Sequence, residues 1–195
     1  MHGLKPTVIC QCYFTTDDAR AVLVAEPDLA QTDAAIIHLG LNDCANRIFL
    51  ERERLALSLL PEGLRDRILS FARVHRRLIL TTLPGRHYVE IERYRANLDA
   101  LVATLRAGGC SRILLTTTIM PPSRSWPATP GLNWNFTRYN LAVMACAHDT
   151  GAVLFDYDRL VYEHGQSQML LPDGMHLSDA GHTLFTREAI KLLKA

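Results

Sequence analysis

Six consecutive residues, Ala34-Ala35-Ile36-Ile37-His38-Leu39, are apolar except for one histidine and lead directly into Gly40-Leu41-Asn42-Asp43. A strand with one wet face alternates apolar and polar side chains, whereas a strand covered on both faces reads as a continuous apolar run. The run therefore predicts a strand inside a mostly parallel sheet with helices on either side. Its glycine terminates the strand and starts polar chemistry at the strand end. Ile113–Thr117, following Gly108-Gly109, and Ala152–Asp156, following Gly151, repeat the pattern. Thr7–Tyr13 reads as a further short strand, and Leu78-Ile79-Leu80 fits strand or helix. Four or five strands are expected in all.

Helical spacing fills the intervals. Thr15-Thr16-Asp17-Asp18 offers a cap before Ala19, Val22, Leu23 and Ala25, and helical composition over 49–59 stops at Pro61. Leu64, Ile68, Phe71 and Ala72 form another apolar stripe, as do Leu98, Leu101, Val102 and Leu105. Thr137–Ala147 and a terminal stretch around Leu184–Leu193 complete the set. Strand and helix alternating in this way give an α/β fold with right-handed parallel crossovers. The 195 residues, 48% of them apolar, suit a single domain over 1–195.

Twenty-one basic and twenty acidic side chains leave a net charge of +1. That balance, with no glycine-rich phosphate loop and no basic–aromatic stripe, argues against a nucleic-acid partner. No apolar run approaches a spanning length of about 20 residues, and charges at Asp17, Asp18 and Arg20 interrupt the first twenty residues, so no membrane partner and cytoplasmic residence are expected. The five cysteines, Cys10, Cys12, Cys44, Cys110 and Cys146, follow neither a disulfide nor a metal-site spacing and read mostly as buried small hydrophobes. The scattered histidines disfavour a metal site; His38 reads as a core or sheet histidine. Arg73, His75, Arg76 and Arg77 suit an anion, but read first as a solvated helix face.

Ligand chemistry in such a sheet collects beyond the carboxyl ends of its strands. Two segments there carry suitable groups. In Asp173-Gly174-Met175-His176, an ionised Asp can hold one imidazole nitrogen and leave the other to accept a proton. In Gly40-Leu41-Asn42-Asp43, a glycine permits a tight turn and the Asn amide can donate to a developing oxyanion. Taken singly, each also fits a plain structural role as a loop or turn. Ser178 reads as a helix cap. Trp126 and Trp134, in and after the proline-rich loop 121–127, either contact substrate or anchor that loop.

Together these two segments resemble the SGNH hydrolase family of GDSL-like esterases and lipases. The resemblance runs from about residue 8 to 193 and implies a flavodoxin-like three-layer sandwich. It implies His176 as base, Asp173 as the carboxylate that orients it, Asn42 as oxyanion donor and Gly40 among the substrate-binding residues. It further implies a small ester or acylated substrate and no cofactor. The family's N-terminal Gly-Asp-Ser nucleophile block is missing from this sequence. One alignment makes Val8–Tyr13 the family's second strand and Thr15–Val24 the following helix. The first strand is then absent, and Cys12, Tyr13 or Phe14 stands near the place of an oxyanion-hole glycine. The other makes Val8–Cys12 the first strand and puts Cys12 where the serine belongs, with a thiolate as nucleophile. A sheet without its first strand has an exposed edge, open to a partner chain, a second copy or the N-terminal residues. The opposed expectation is a degenerate relative that binds without turnover, or one segment of a longer enzyme.

Overall fold

The computed structural model describes residues 6–194. Its sheet has three parallel strands, β1 (Ala34–Ile37), β2 (Arg112–Thr116) and β3 (Val153–Phe155), in the order β1-β2-β3. Ala34 is in register with Arg112 and Ile37 with Leu115; Leu114 is in register with Val153 and Thr116 with Phe155. Alternation along β2 assigns the layers. Ile113 and Leu115 point into a core with Leu98, Val102, Phe136 and Val143, while Leu114 points into a second core with Phe155, Val161 and Leu184.

The first core lies under α6 (Ile91–Ala107) and α7 (Leu132–Thr150), and α1 (Thr16–Ala25) packs on α6. Thr15 caps α1 through a reciprocal box with Asp18, as its Thr-x-x-Asp spacing predicts. The second core is closed by α8 (Tyr157–Glu163), α9 (Gln166–Met169) and α10 (Asp179–Lys194). Short helices α2 (Leu41–Cys44), α3 (Glu51–Ser58), α4 (Glu62–Val74) and α5 (Arg76–Thr82) connect β1 to α6. Helices therefore cover both sheet faces, as continuous apolar strands require.

Four or five expected strands become three among the described residues. Leu78-Ile79-Leu80 belongs to α5, where only Leu80 is buried. An isolated three-residue apolar run satisfies either period, and here the helical neighbours decide. The run Thr7–Tyr13 forms no strand, and Val8 is 75% exposed. Strand composition fits a pleated surface only where a neighbouring strand supplies hydrogen bonds, and none of the described strands pairs with this segment. For the same reason β1 is an edge. Among the described residues it pairs with β2 alone, Ile36 remains 39% exposed, and His38, expected in the core or the sheet, is exposed beyond the strand end. Cys10 and Cys12 are exposed as well, whereas Cys44, Cys110 and Cys146 are buried as expected.

Gly40 ends β1 with φ +134°, and a Cβ there would lie 2.3 Å from Thr118 Oγ1 and 2.9 Å from the Tyr94 hydroxyl. Both the backbone conformation and the close approach require glycine. Gly40→Ala is expected to lower unfolding free energy by more than about 2 kcal/mol. Urea denaturation checks this, and an unchanged midpoint would show that the turn relaxes freely.

Candidate active site beyond the sheet

Immediately after Gly40, α2 makes one turn and separates two adjacent polar side chains. Asp43 points inward and is fully buried; its Oδ1 accepts from the Thr16 backbone N–H at 2.9 Å and from the Thr16 hydroxyl at 2.6 Å. Its second oxygen has no partner among the described residues, and burial pushes the carboxyl pKa up against those two hydrogen bonds. Asn42 turns the other way and is half-buried. Its Oδ1 accepts from Arg47 Nη2 at 2.9 Å, and its Nδ2 donates to the Phe14 carbonyl at 3.1 Å. A cation on the carbonyl oxygen fixes which end of the amide is the donor. Nδ2 carries a second N–H, which a ligand oxygen can take.

The other segment is built by a tight loop between α9 and α10. Leu170 and Leu177 form an antiparallel bridge, the Leu171 N–H donates to the His176 carbonyl at 2.8 Å, and the Gly174 N–H donates to the Leu171 carbonyl at 2.8 Å. Gly174 has φ +71°, and a Cβ there would meet Pro122 Cδ at 2.8 Å. Within this turn Asp173 Oδ1 accepts the Met175 and His176 N–H groups at 2.9 and 3.1 Å, while Oδ2 lies 2.6 Å from His176 Nδ1. The Met175 N–H first, then the imidazole and the His176 N–H, hold the Asp173 carboxyl down at about 2. An ionised Asp173 therefore places the neutral imidazole proton on Nδ1 and leaves the Nε2 lone pair outward. The pair is open to solvent, with side chains 75% (His176) and 48% (Asp173) exposed.

The loop following β2 touches both segments. Thr118 Oγ1 donates to the Leu39 carbonyl at 3.3 Å beside Gly40, and Arg124 Nη2 donates to the Pro172 carbonyl at 3.0 Å next to Asp173. Gly40, Asn42, Asp173 and His176 thus lie on connected loops, although no hydrogen bond joins Asn42 to the Asp–His pair among the described residues. Ser178 caps α10, donating to the Gln168 carbonyl and accepting from the Gly181 N–H. Ser123 and Ser125 sit in a short 3₁₀ turn. Trp126 anchors its loop, its indole N–H donating to the Pro121 carbonyl at 2.9 Å. Trp134, on the first turn of α7, is 63% exposed with no such bond.

Cys12 lies outside the sheet, two residues before the carbonyl that meets Asn42. Between them Tyr13 has φ +64°, a left-handed conformation that a non-glycine residue rarely takes. Sequence reading missed the groups surrounding this turn. The Arg54 guanidinium lies 3.8 Å from the Tyr13 ring centroid and Arg47 lies 4.3 Å from that of Tyr88. Arg47, five residues past Asn42, was the available signal.

The sequence matches the GDSL-like Lipase/Acylhydrolase family over residues 13–184. The chain belongs to that family. Solved structures with the same fold include a lipase/acylhydrolase from Enterococcus faecalis, at 15% identity, TM-score 0.63 and coverage of 93% of this chain and 71% of that one. An acetylxylan esterase from Geobacillus stearothermophilus is similar at 17% identity and TM-score 0.60, covering 93% and 68%. An alpha/beta hydrolase from the metagenome of Lake Arreo, Spain, is similar at 20% identity and TM-score 0.59, covering 93% and 69%. Catalytic mutants of the acetylxylan esterase replace a serine, a histidine or an aspartate by alanine. No curated protein matches the sequence. Among the described residues of this family member, no helix is long and apolar enough to cross a membrane.

Proposed function

We propose that this GDSL-like chain hydrolyses or transfers the acyl group of a small ester. His176 accepts the nucleophile's proton at Nε2, Asp173 orients and charge-supports the imidazole, and Asn42 Nδ2 donates to the tetrahedral oxyanion. The observation carrying this reading is the 2.6 Å contact at His176 Nδ1, which leaves the opposite nitrogen open to solvent. The catalytic aspartate and histidine of the acetylxylan esterase stand three positions apart in their chain, as Asp173 and His176 do here. Gly40 supports the oxyanion turn. No cofactor is needed, and the reaction is assigned to the cytoplasm within a single domain over 1–195.

The nucleophile belongs to the same proposal. Cys12 is the exposed thiol nearest in sequence to the Phe14–Asn42 contact, and its thiolate would attack the acyl carbon and expel the alcohol, giving a thioester that water resolves. Assay against a panel of short p-nitrophenyl esters tests the reading. Turnover that His176→Ala removes supports it; identical rates in parent and variant reject it. Within that assay Trp134→Ala is expected to alter selectivity among acyl sizes several-fold with little change in melting temperature, because a largely exposed apolar ring is removed. Trp126→Ala is expected to lower the melting temperature, since its indole ties down the loop. The reverse pattern would exchange their roles.

The free edge of β1 favours a second reading. With Ile36 exposed and Val8–Cys12 unpaired among the described residues, a strand from a partner chain or a further segment can complete the sheet, and the chain alone then binds its ligand without turnover. Acyl turnover by the isolated chain would remove this reading.

A further inference from the structure

Arg47 and Arg76 hold the two ends of the segment 42–46, and Arg54 meets Arg47 at Tyr88. Arg47 donates from Nη2 to the Asn42 side-chain and backbone oxygens at 2.9 and 3.3 Å, with its guanidinium on the Tyr88 ring. Arg54 donates from Nη1 to the Tyr88 hydroxyl at 2.8 Å and lies over Tyr13. Arg76, expected on a solvated face, instead donates from Nη2 to the Asn46 carbonyl at 3.1 Å and from Nε to Thr129 Oγ1 at 3.0 Å. All three are half-buried, and every partner they have is neutral.

Among the described residues, none of the three lies within ion-pair distance of a carboxylate. The contrast with the neighbouring Arg86 is direct, since that guanidinium is paired with Glu53. Arg47 Nε is, in addition, buried without an acceptor. Withdrawing cations from water without a counter-charge is unfavourable, and their mutual repulsion adds to it. Burial first and the charge of Arg47 second lower the proton affinity of Arg76; for Arg47 burial again leads, whereas the hydrogen bond to Tyr88 raises that of Arg54. A guanidinium retains its charge under such shifts and has a fork of donors suited to carboxylate and phosphate oxygens. Tyr13, whose ring covers Arg54, is itself 51% exposed.

We infer that Arg47, Arg54 and Arg76 form an anion-binding subsite beside Asn42, selecting small esters that also carry a carboxylate or phosphate group. The inference rests on the ester-hydrolase reading for the position of the reacting group, but anion binding is measured without turnover. Calorimetric titration uses inorganic phosphate, the anionic monomethyl ester of succinic acid and its neutral dimethyl ester, at low and at high salt. The monoester is expected to bind at least tenfold more tightly than the diester, with the difference shrinking in high salt. Arg54→Met and Arg76→Met are each expected to weaken phosphate binding several-fold, while Arg187→Met on α10 does not. Arg47→Met is expected to weaken it most; because Arg47 also holds Asn42, the other two substitutions are the deciding ones, with circular dichroism to establish that each variant is folded. Phosphate binding should persist in His176→Ala, so loss of turnover and loss of the subsite are distinguishable. Equal affinity for both esters, no saturable binding of phosphate or the monoester, or parent-like phosphate binding in folded Arg54→Met and Arg76→Met overturns the inference.

Discussion

Asp173→Asn is expected to leave the chain folded and to lower kcat/KM on short esters by roughly 10²–10⁴-fold. The substitution keeps the side chain's size and its turn-forming oxygen, so the Met175 and His176 N–H groups retain an acceptor. It removes the charge that stabilises an imidazolium and the acceptor that fixes the proton on Nδ1. An amide can instead donate to Nδ1, which moves the proton to Nε2 and deprives that atom of its lone pair. High solvent exposure of both partners weakens the charge component and sets the lower end of the range. The sign of the acid response follows from the Asp173 pKa of about 2, below the ordinary carboxylate value of roughly 3.9. Stability contributed by this pairing is fully present above about pH 4 and is lost as pH falls through about 2. Steady-state kinetics on p-nitrophenyl acetate read the effect, and parent-like kcat/KM in the variant removes Asp173 from the mechanism.

Asn42→Ala is expected to cost roughly 10²–10³-fold in kcat with a smaller change in KM, because a donor aimed at the oxyanion acts in the transition state. The variant also frees Arg47 from its amide acceptor and the Phe14 carbonyl from its donor. Asn42→Asp separates the first of these effects: it preserves an acceptor for Arg47 while abolishing the donor to the oxyanion and to the Phe14 carbonyl. Loss of turnover in both variants, with unchanged melting temperature in Asn42→Asp, identifies the donor. Full activity in Asn42→Asp would assign Asn42 a structural role.

The layers were legible in the sequence because burial writes itself directly into strand composition. Ala34–Ile37, Arg112–Thr116 and Val153–Phe155 are largely apolar on both faces, and helices cover both faces of the latter two, while Ile36 on the edge strand stays 39% exposed. Thr7–Tyr13 misled because β-composition reports suitability for a sheet surface and carries no information on whether a neighbouring strand is present. The Asp173–His176 contact was legible because it is local, three residues closed by a turn. Tyr13, Arg47, Arg54 and Arg76 were not, since their association joins residues from before α1 to α5 through the packing of connecting loops. Arg76 illustrates the point. Flanked by Arg73, His75 and Arg77, it looks like solvated surface until Thr129 arrives from the loop preceding α7.

Intact-mass analysis after incubation with an activated acyl ester, followed by peptide mapping, tests most directly whether the chain performs acyl chemistry through His176. The proposed mechanism predicts a stoichiometric acyl adduct on Cys12 that is absent from both Cys12→Ala and His176→Ala. An adduct on Ser123, Ser125 or Ser178 that requires His176, or a Cys12 adduct forming at the same rate in His176→Ala, would contradict it.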